Sequence, residues 1–590
     1  MDKKTVPCYF NYKYIMKRNA ETMAEYLAPG VYVEEFDSGV KAMEGVGTST
    51  AGFLGLAEKG PVMGHPVLLT SFAEYQRRFG GYLPEQEYGS CRFLPNAVEQ
   101  FFTNGGSTCY VMRVAPEDAA IAQSAEGPIR VTARDPGAWA NTMQAILTRC
   151  VRARTQVLAA EGDGRYQLKD AAGFRAGDIL ACRSGDTVSY HKITSLTGSV
   201  ITAEPPLPDD AVDTDPVPQR TVEACGVDLV IRGGGQEETF AGCSLNPLAP
   251  DYLPAAAEKS TLAALTLTVE DKTDDLLVLL GAQAGDTELR IGLAGGANGT
   301  LDGINAGVFN GTDGGPGKRT GIEAFREIRD VSIMAVPGIT DVSVQAKLIA
   351  HCENLTSRFA VLDAPLDCTS VDALNAHRSA YDTSYAALYA PWVQVYDPLL
   401  KRPVFLPPSG SVCGIYARVD IERGVHKAPA NEIVKGCTGL AVQYNEAEQS
   451  KLNPNGVNLI RAIPGQGIRV WGARTCSSDG NWKYVNVRRL FVFLEESIRA
   501  NTGWVVYEPN DESLWSRVKG TISLFLETQR RNGALVGSTP DQAYYVKVGT
   551  DTMTQDDIRS GRLICEIGVA PVRPGEFAVF RITQTTQSAT

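Results

Sequence analysis

The chain has 590 residues, of which 44% are hydrophobic, and a formal net charge of −12 at pH 7. This length predicts several domains with ordinary buried cores, and the acidic balance argues against a general nucleic-acid binder, whose affinity depends on excess Lys and Arg. The 13 cysteines occur singly, and no apolar run has the length of a membrane span. With no recognisable secretory leader, the chain is expected to fold in the reducing cytoplasm without a metal, a cofactor or direct insertion into a membrane.

A short strand is predicted near the N-terminus, ahead of any segment that resembles a compact domain. Turn-forming residues precede it at Pro29 and follow it at Asp37, and the next apolar run begins only at Ala51. The strand therefore has no hairpin partner nearby. It is either an ordinary edge strand of its own domain or a strand on an arm that is donated to another sheet. It comprises Gly30, Val31, Tyr32, Val33, Glu34, Glu35 and Phe36.

Residues 49–115 show the alternation of strands and helices that is typical of an α/β layer. A buried strand is predicted over Thr50–Leu56. The helix that follows begins after Ser71, which can cap it together with Glu74 in a capping box, and ends at Gly80-Gly81. A second helix, over residues 96–102, leads into a strand over Cys109–Val114.

The pattern changes at residue 116. Residues 116–320 contain short β-like segments such as Ile129–Thr132 and Asp228–Ile231, separated by Gly, Pro and Asp. We interpret them as one or two β-rich modules inserted into the α/β domain, with a glycine-rich linker over residues 292–321. This linker is not a phosphate-binding P-loop, because Arg319 stands where that motif requires Ser or Thr, and Thr312 where it requires Gly.

The α/β pattern resumes at Gly321, with a strand over residues 331–336, a helix over Val344–Leu355 and a strand over Phe359–Asp363. A later helix carries apolar residues from Val487 to Ile498 at helical spacing, and Gly503 is predicted as its C-terminal cap.

The last long helix is predicted to begin after Asp511 and to bury one apolar face. Its apolar residues are Leu514, Val518, Ile522, Phe525 and Leu526. Its other side is basic, which is either a solvated face or a contact with an acidic partner. The basic residues are Arg517, Lys519, Arg530 and Arg531. The chain closes with a second strand-like segment, formed by Phe577, Ala578, Val579, Phe580, Arg581 and Ile582.

The sequence contains no convincing catalytic motif. Its five histidines are dispersed, without an H-E-x-x-H pair, and no G-x-S-x-G nucleophile elbow is present. An enzyme with an inserted substrate domain stays an alternative that requires a converging set of catalytic residues.

Four segments, in this order along the chain, resemble the successive signatures of contractile tail sheath proteins. They are Ala28–Glu35, Tyr385–Pro398, Arg469–Thr475 and Tyr484–Leu490. The resemblance covers residues 28–115 and 320–585 and is looser in the insertion, where Ala140 replaces a usual Gly and Asn298 a usual Asp. This family forms the sheath of contractile phage tails, tailocins and phage-tail-like injection systems.

The resemblance implies a multidomain α+β or α/β fold, with an inner α/β domain built from both chain ends and with inserted β-rich outer domains. The implied divisions are an N-terminal arm with a donated strand (1–48), the first part of the inner domain (49–115), the insertion with its return linker (116–320), the second part of the inner domain (321–568), and a C-terminal linker with a donated strand (569–590). Both terminal strands are expected to be exchanged between subunits. The subunits would form a helical homopolymer of stacked rings around an inner tube, metastable when extended, and its contraction would drive the tube into a target.

The implied partners are other copies of this chain, the inner tube protein, and baseplate and terminator or cap proteins. Because exposed charge pairs are weak and releasable, we expect tube-facing residues among Arg517, Lys519, Arg530 and Arg531, with Arg488 and Arg489 as second candidates. Assembly is expected in the cytoplasm, in a phage tail or a tail-like particle that is released or membrane-anchored. The alternative within structural proteins is a tube or shell subunit, and recycling by an unfolding ATPase is less expected for one uninterrupted chain.

Overall fold

The computed structural model describes residues 43–184, 187–208, 220–267 and 288–576. The two terminal strands predicted from the sequence, Gly30–Phe36 and Phe577–Ile582, lie outside the described residues. Within them, strands form two large sheets, of nine and eleven strands, and two small ones. No described helix combines the length and the apolar character that crossing a membrane requires.

The first α/β segment follows the predicted order of elements. Ser71 accepts a hydrogen bond from the Glu74 N–H and so caps the first helix. The carboxylate of Glu74 accepts from the Thr70 N–H, not from that of Ser71, so the predicted capping box is shifted by one residue. The elements are β1 (Ala51–Leu56), β2 (Val67–Leu69), α1 (Phe72–Phe79), α2 (Glu85–Tyr88), α3 (Leu94–Thr103) and β3 (Cys109–Val114).

The insertion is almost entirely antiparallel β-structure. Its elements are β4 (Gln123–Ser124), β5 (Ile129–Ala133), β6 (Gln144–Gly162), β7 (Arg165–Leu168), β8 (Ile179–Ser184), β9 (Thr187–Thr197), β10 (Val200–Glu204), β11 (Thr221–Gly233), β12 (Gln236–Cys243), α4 (Leu253–Ala257), β13 (Ala263–Leu267) and β14 (Glu288–Ala294).

Strand β6 divides the insertion into two parts with separate cores. It pairs with β11 as well as with β7, and this second pairing closes β6, β7, β10, β9, β8 and β11 into a six-stranded antiparallel barrel. Closure removes the free edges that an open sheet would present to other chains. The barrel core includes Tyr166, Phe174 and Ile201, while the core nearer the α/β domain includes Val131, Leu229 and Leu265.

The chain returns to the α/β domain and completes its sheet. The elements are α5 (Ala306–Asn310), β15 (Ile333–Ala335), α6 (Val342–Leu355), β16 (Phe359–Asp363), α7 (Val371–Arg378), β17 (Ala386–Ala390), β18 (Val393–Asp397), β19 (Arg402–Leu406), α8 (Ser409–Arg423), β20 (Glu432–Ile433), β21 (Gly439–Leu440), α9 (Glu446–Leu452), β22 (Val457–Ile463) and β23 (Gly467–Val470). The return segment contains Gly311, where a Cβ would lie 2.0 Å from the Thr320 carbonyl oxygen. Two backbone segments approach closely there, so the glycine is needed for packing as well as for flexibility.

The nine-stranded sheet combines residues from before and after the insertion. Its order is β2-β3-β1-β15-β16-β17-β22-β23-β20, with β3, β1, β15, β16, β17 and β22 all parallel. Strand β1 pairs with β15 through Ala51 and Ile333, which lie on opposite sides of the insertion in the sequence. Strands β1, β16 and β17 are buried along their whole length, as expected for a parallel sheet with helices on both faces.

A buried arginine joins the insertion to the sheet. Arg113 is 2% exposed. Its side chain donates to the Ala57 carbonyl at the end of β1 at 2.9 Å and to the Pro136 carbonyl of the insertion at 2.8 Å. Lys59 donates to the Gly234 carbonyl in the same region. These bonds tie two loops of the insertion, the one after β5 and the turn between β11 and β12, to the chain at the end of β1.

The last part of the chain forms a separate core of helices against a small sheet. Its elements are α10 (Val485–Asn501), α11 (Glu512–Arg531), α12 (Pro540–Ala543), β24 (Tyr544–Val548), α13 (Gln555–Arg559) and β25 (Cys565–Val569). Asp511 caps α11 as predicted, and the predicted apolar face of that helix is buried. The predicted cap at Gly503 is wrong: α10 ends at Asn501 and the capping residue is Thr502, whose hydroxyl donates to the Ile498 carbonyl in the last turn.

Candidate assembly interface

The small sheet of the last core has two open edges. Strands β24 and β25 pair antiparallel from Tyr544 opposite Val569 to Val548 opposite Cys565, and no other described strand joins them. Val546 is buried, in one cluster with Phe525 and Leu526 of α11, so one face of the sheet is held against the helix. Two strands alone are marginally stable, and open edges accept further strands through backbone hydrogen bonds.

The chain leaves this sheet towards the C-terminus through a fixed point. The Glu576 carboxylate, at the last described residue, accepts a bidentate pair of hydrogen bonds from Arg474 at 2.8 and 2.7 Å. Tyr484 and Asn453 donate to it at 3.1 and 2.8 Å. Burial raises the pKa of Glu576, but the bonds from these three side chains outweigh burial, so its pKa lies below the ordinary value. Just before it, the Asn486 amide donates to the Val572 carbonyl.

The N-terminal end of the described chain is held against the same helix, α10. The Val46 N–H donates to the Ser497 hydroxyl at 3.1 Å, and the Asn501 amide donates to the Glu44 carbonyl at 2.8 Å. Arg489 donates to the Thr48 carbonyl at 2.9 Å. Residues 44–48 therefore run along α10 from its C-terminal end at Asn501 back to Arg489, while the last described residues of the chain lie at its first turn.

Arg489 is part of a buried ion pair. It donates to both carboxylate oxygens of Asp420 in α8 at 2.9 and 2.6 Å, with side chains that are 4% and 2% exposed. Burial raises the pKa of Asp420, and Arg489 opposes that effect. The guanidinium also lies over the ring of Tyr416. Arg489, one of the two second candidates for a tube contact, is therefore buried and makes its hydrogen bonds inside the subunit.

Arg488 is likewise engaged inside the subunit. Its guanidinium carbon lies 3.6 Å from the ring centroid of Trp482 and 4.5 Å from that of Tyr385, and its Nε donates to Ser384 at 2.9 Å. Burial lowers the pKa of Arg488. Neither Arg488 nor Arg489 lies on an exposed face, because each finds aromatic or acidic partners on elements remote in the sequence.

The basic side of α11 is exposed but partly neutralised. Arg530 and Arg531 both bind Glu527 at 2.8 Å, and these hydrogen bonds, that of Arg530 first, lower the pKa of Glu527 to about 2. Arg517 pairs with Glu508 at 3.3 Å. Lys519 is exposed, and no ion pair forms on it within the described residues. The positive charge that remains for a partner thus centres on Lys519 and one of the two C-terminal arginines.

The carboxyl ends of the central parallel strands, where open α/β sheets bind ligands, are filled by protein. Asp363 at the end of β16 is buried and accepts hydrogen bonds from the Ser409 N–H and hydroxyl at 2.8 and 2.7 Å and from the Gly338 N–H at 3.0 Å. Burial raises the pKa of Asp363 to about 6, against these bonds. Among the described residues, no group of three or more His, Cys, Asp or Glu side chains has the arrangement of a metal site.

Comparison with known families decides the identity of the chain. Residues 311–476 match the phage tail sheath protein central domain, and residues 477–585 match the phage tail sheath C-terminal domain. The chain belongs to the phage tail sheath family. As a sheath protein, it is a structural subunit of a contractile tail or tail-like particle.

Sequence relatives of this sheath protein are tail sheath proteins of phages. It is 24% identical over 414 residues to the tail sheath protein of Escherichia phage P2, an alignment that covers 68% of this chain and 93% of the relative. It is 28% identical over 246 residues to the tail sheath protein of Burkholderia phage BcepMu, covering 38% of this chain and 50% of the relative.

The fold of this sheath protein is shared with solved sheath structures. It is similar to the PVC sheath complex of an extracellular contractile injection system in the contracted state, with a TM-score of 0.51 at 20% identity over 95% of this chain and 98% of the other. A sheath tail protein from Listeria innocua gives a TM-score of 0.51 at 10% identity, over 90% and 97% of the two chains.

Two of the segments that resemble sheath signatures form hydrogen bonds to the first and last parts of the described chain. Arg474 lies in Arg469–Thr475, and Tyr484, Asn486 and Arg489 lie in Tyr484–Leu490. Sequence reasoning used these segments for recognition and missed this role. The only signal in the sequence was that arginines stand among apolar residues, which indicates that they have partners inside the protein. Those partners could not be identified, because Glu576 is 102 residues from Arg474 and Thr48 is 441 residues from Arg489.

Proposed function

We propose that this sheath protein forms a helical homopolymer around an inner tube, with both terminal strands exchanged between neighbouring subunits. The polymer is metastable when extended, and its contraction drives the tube into a target. Baseplate proteins lie at one end of the polymer, and terminator or cap proteins lie at the other. Assembly takes place in the cytoplasm. The family is structural, and we propose no enzymatic activity.

The observation that carries this proposal is the two-stranded sheet of β24 and β25 with both edges open. One edge can receive the N-terminal strand Gly30–Phe36 of one neighbour, and the other can receive the C-terminal strand Phe577–Ile582 of a second neighbour. Backbone pairing holds an added strand through directional hydrogen bonds, and alternating side chains give it a defined register. A four-stranded sheet from three chains is far more stable than the two strands alone.

The free energy for contraction can come from the contacts between subunits. Packed interfaces are bistable, so many modest differences between two inter-subunit arrangements add up along the polymer without nucleotide hydrolysis. The arms absorb the rotation of the subunits, while Arg474 and Ser497 keep their roots in place.

Contact with the tube is proposed for the basic side of α11. Exposed ion pairs are each worth about 0–1 kcal/mol, which suits an attraction that must be released at contraction. Lys519 and Arg531 are the exposed members of this group, and of these two only Arg531 is paired within the described residues, with Glu527, whereas Arg517 and Arg530 are half-buried as well as paired.

The sharp test is to remove strand exchange while keeping the fold. A chain that lacks residues 1–37 is expected to stay folded and monomeric and to form no sheath by electron microscopy. Val31→Pro, which blocks backbone pairing in the strand, is expected to act in the same way, and Thr22→Pro, outside the strand, serves as the matched control. Normal polymerisation of both strand variants would return Gly30–Phe36 to an ordinary edge strand, and discrete wild-type monomers with substrate turnover would overturn the sheath assignment altogether.

A further inference from the structure

The loop between α10 and α11 presents a fully exposed tyrosine in a conformation that a side chain of this size rarely adopts. Tyr507 is fully exposed and has a positive φ of +68°. Its neighbour Val506 is 65% exposed. A left-handed φ strains a bulky residue, and such strain persists where the surroundings impose it and is concentrated at functional positions. The pair forms an apolar projection, residues 506–507, which we call the knob.

The loop around the knob is held in place. Glu508 N–H donates to the Val505 carbonyl at 3.2 Å, and the Arg517 side chain donates to the Glu508 carboxylate at 3.3 Å. Asn510 accepts from the Trp515 indole at 2.7 Å and donates to the Arg562 carbonyl at 3.0 Å. The knob is therefore preorganised, so that a partner loses little conformational entropy in ordering it.

A cleft of about 550 Å³ lies on the same core, within the range of about 300–1,000 Å³ typical of sites that enclose a ligand. Its lining combines apolar and polar side chains, a composition that suits a tyrosine with its apolar ring and polar hydroxyl. Its lining includes Leu490, Phe493, Val425, Ala534, Arg423 and Asn532.

The knob and the cleft lie at opposite ends of a pair of antiparallel helices. Phe493 of α10 packs against Phe525 of α11 with ring centroids 6.0 Å apart, and Arg517 lies over Trp504. The loop therefore joins one end of the pair, while Asn532, which follows α11, borders the cleft at the other. With a rise of about 1.5 Å per residue, the cleft begins about 12 Å from the loop, at Phe493 of α10, and extends to roughly 30 Å from it, at Asn532. The Tyr507 side chain is too short to span this distance and is fully exposed, so the knob does not fill the cleft of its own subunit.

Charge also favours this pairing. Residues 502–512 carry three carboxylates and no basic residue, and although Arg517 pairs with Glu508, Asp511 and Glu512 form no ion pair within the described residues. The cleft carries Arg423 on its rim, and its one carboxylate, Asp420, is neutralised by Arg489. The cleft wall also includes residues 46–49, the root of the N-terminal arm, so it adjoins the surface assigned above to strand exchange.

We infer that the knob of one subunit inserts into the cleft of a second copy of this chain in the assembled sheath. Because the two surfaces differ, the contact is heterologous, and repeated heterologous contacts build open helical polymers. This inference rests on the proposed sheath function and adds a second interface, made by side chains, to the exchange of strands.

Photo-crosslinking tests this contact. Tyr507 is replaced by benzoylphenylalanine in the full chain, and sheaths assembled on the tube are irradiated before and after contraction. We expect, in at least one of the two states, a covalent link to residues 421–426, 490–493 or 529–534 of another copy, and loss of that link when Asn532→Trp fills the cleft. A link to the tube protein or to another sheath surface in both states, or no link in either, overturns the inference.

A second variant separates assembly from folding. Tyr507→Gly removes both the ring and the strain, so the monomer is expected to unfold at the same or a higher temperature while assembly becomes about tenfold or more weaker. Leu248→Ala, at a side chain 83% exposed on the insertion, is the matched control and should leave assembly unchanged. Undiminished assembly of Tyr507→Gly overturns the inference while the sheath function stands, whereas failure of the wild-type chain to polymerise counts against the function itself.

Discussion

Arg474 and Glu576, 102 residues apart in the sequence, form a bidentate ion pair at the last described residue of the chain. Their side chains are 10% and 19% exposed, so water competes weakly for the two hydrogen bonds. The pair fixes the position and direction of the residues that follow. Its removal should therefore affect assembly more than folding.

Glu576→Gln is the first prediction. The change removes one strong acceptor and the charge, and a hydrogen bond to a charged group is worth about 1.5–3 kcal/mol. We expect faster hydrogen exchange at residues 570–576, little change in the unfolding temperature, and fewer sheaths by electron microscopy. Glu126→Gln, at an exposed carboxylate of the insertion, is the control. Unchanged exchange at 570–576 would show that the arm root does not depend on this pair.

The same pair predicts a pH dependence. The pKa of Glu576 is depressed below its ordinary value of 4.5, so its contribution to stability is present above about pH 4.5 and is lost as the pH falls through the lower folded value. Limited proteolysis of the C-terminal arm, measured from pH 7 to pH 3.5, should accelerate at the acidic end. The Glu576→Gln variant should be cleaved fast throughout, and a parallel pH dependence in that variant contradicts the assignment.

Asp363 predicts the opposite sign in the core of the parallel sheet. Its pKa is raised from 3.8 to about 6, so the protonated form is favoured by folding, and the associated stability is complete below pH 3.8 and lost as the pH rises through 6. Hydrogen exchange of β16 amides, corrected for intrinsic rates, is expected to be slower at pH 5 than at pH 7.5. Equal protection at both values would show that Asp363 titrates normally.

The buried pair of Arg489 and Asp420 predicts a large effect on stability. Arg489→Met leaves a buried carboxylate without its partner, which typically destabilises by about 3–5 kcal/mol. The double variant Arg489→Met with Asp420→Leu is expected to recover most of this loss, because no charge stays buried. Urea denaturation of the three proteins measures the difference, and a double variant as unstable as the single one would mean that packing, not charge, dominates there.

Charge reversal on α11 tests the tube contact. Lys519→Glu with Arg531→Glu changes the two basic residues that are most exposed, and so should leave the monomer fold intact while weakening assembly on the tube, more strongly at low salt. Lys401→Glu with Lys259→Glu, at two exposed lysines away from α11, gives a matched change of charge elsewhere. Assembly equal to that of the wild type at all salt concentrations removes α11 from the proposed tube contact.

Local signals in the sequence were sufficient for many single elements. The strand over Phe359–Asp363 and the strand over Cys109–Val114 have the predicted bounds, because apolar runs of this length between turn residues leave few other structures. Asp511 likewise identified the start of α11, since its side chain satisfies an N–H group that the helix leaves free.

Features that depend on distant partners could not be predicted in the same way. Arg488 and Arg489 resemble surface residues in the sequence, yet Tyr385, Trp482 and Asp420 bury them. The barrel in the insertion is another example, because its closure depends on the pairing of β6 with β11, some 70 residues apart in the chain. Neither periodicity nor turn chemistry encodes which of several antiparallel strands will meet.

Helix α10 holds the N-terminal arm near Asn501 and the C-terminal arm near Asn486. If neighbours bind both terminal strands as proposed, tension between them runs lengthwise through this single helix. In a helix loaded along its axis, the backbone hydrogen bonds of every turn resist the pull, so a modest tension extends it little. Each subunit then behaves as a stiff link in a net, and the shortening of the net is a change in the angles between links, with every link keeping its own length.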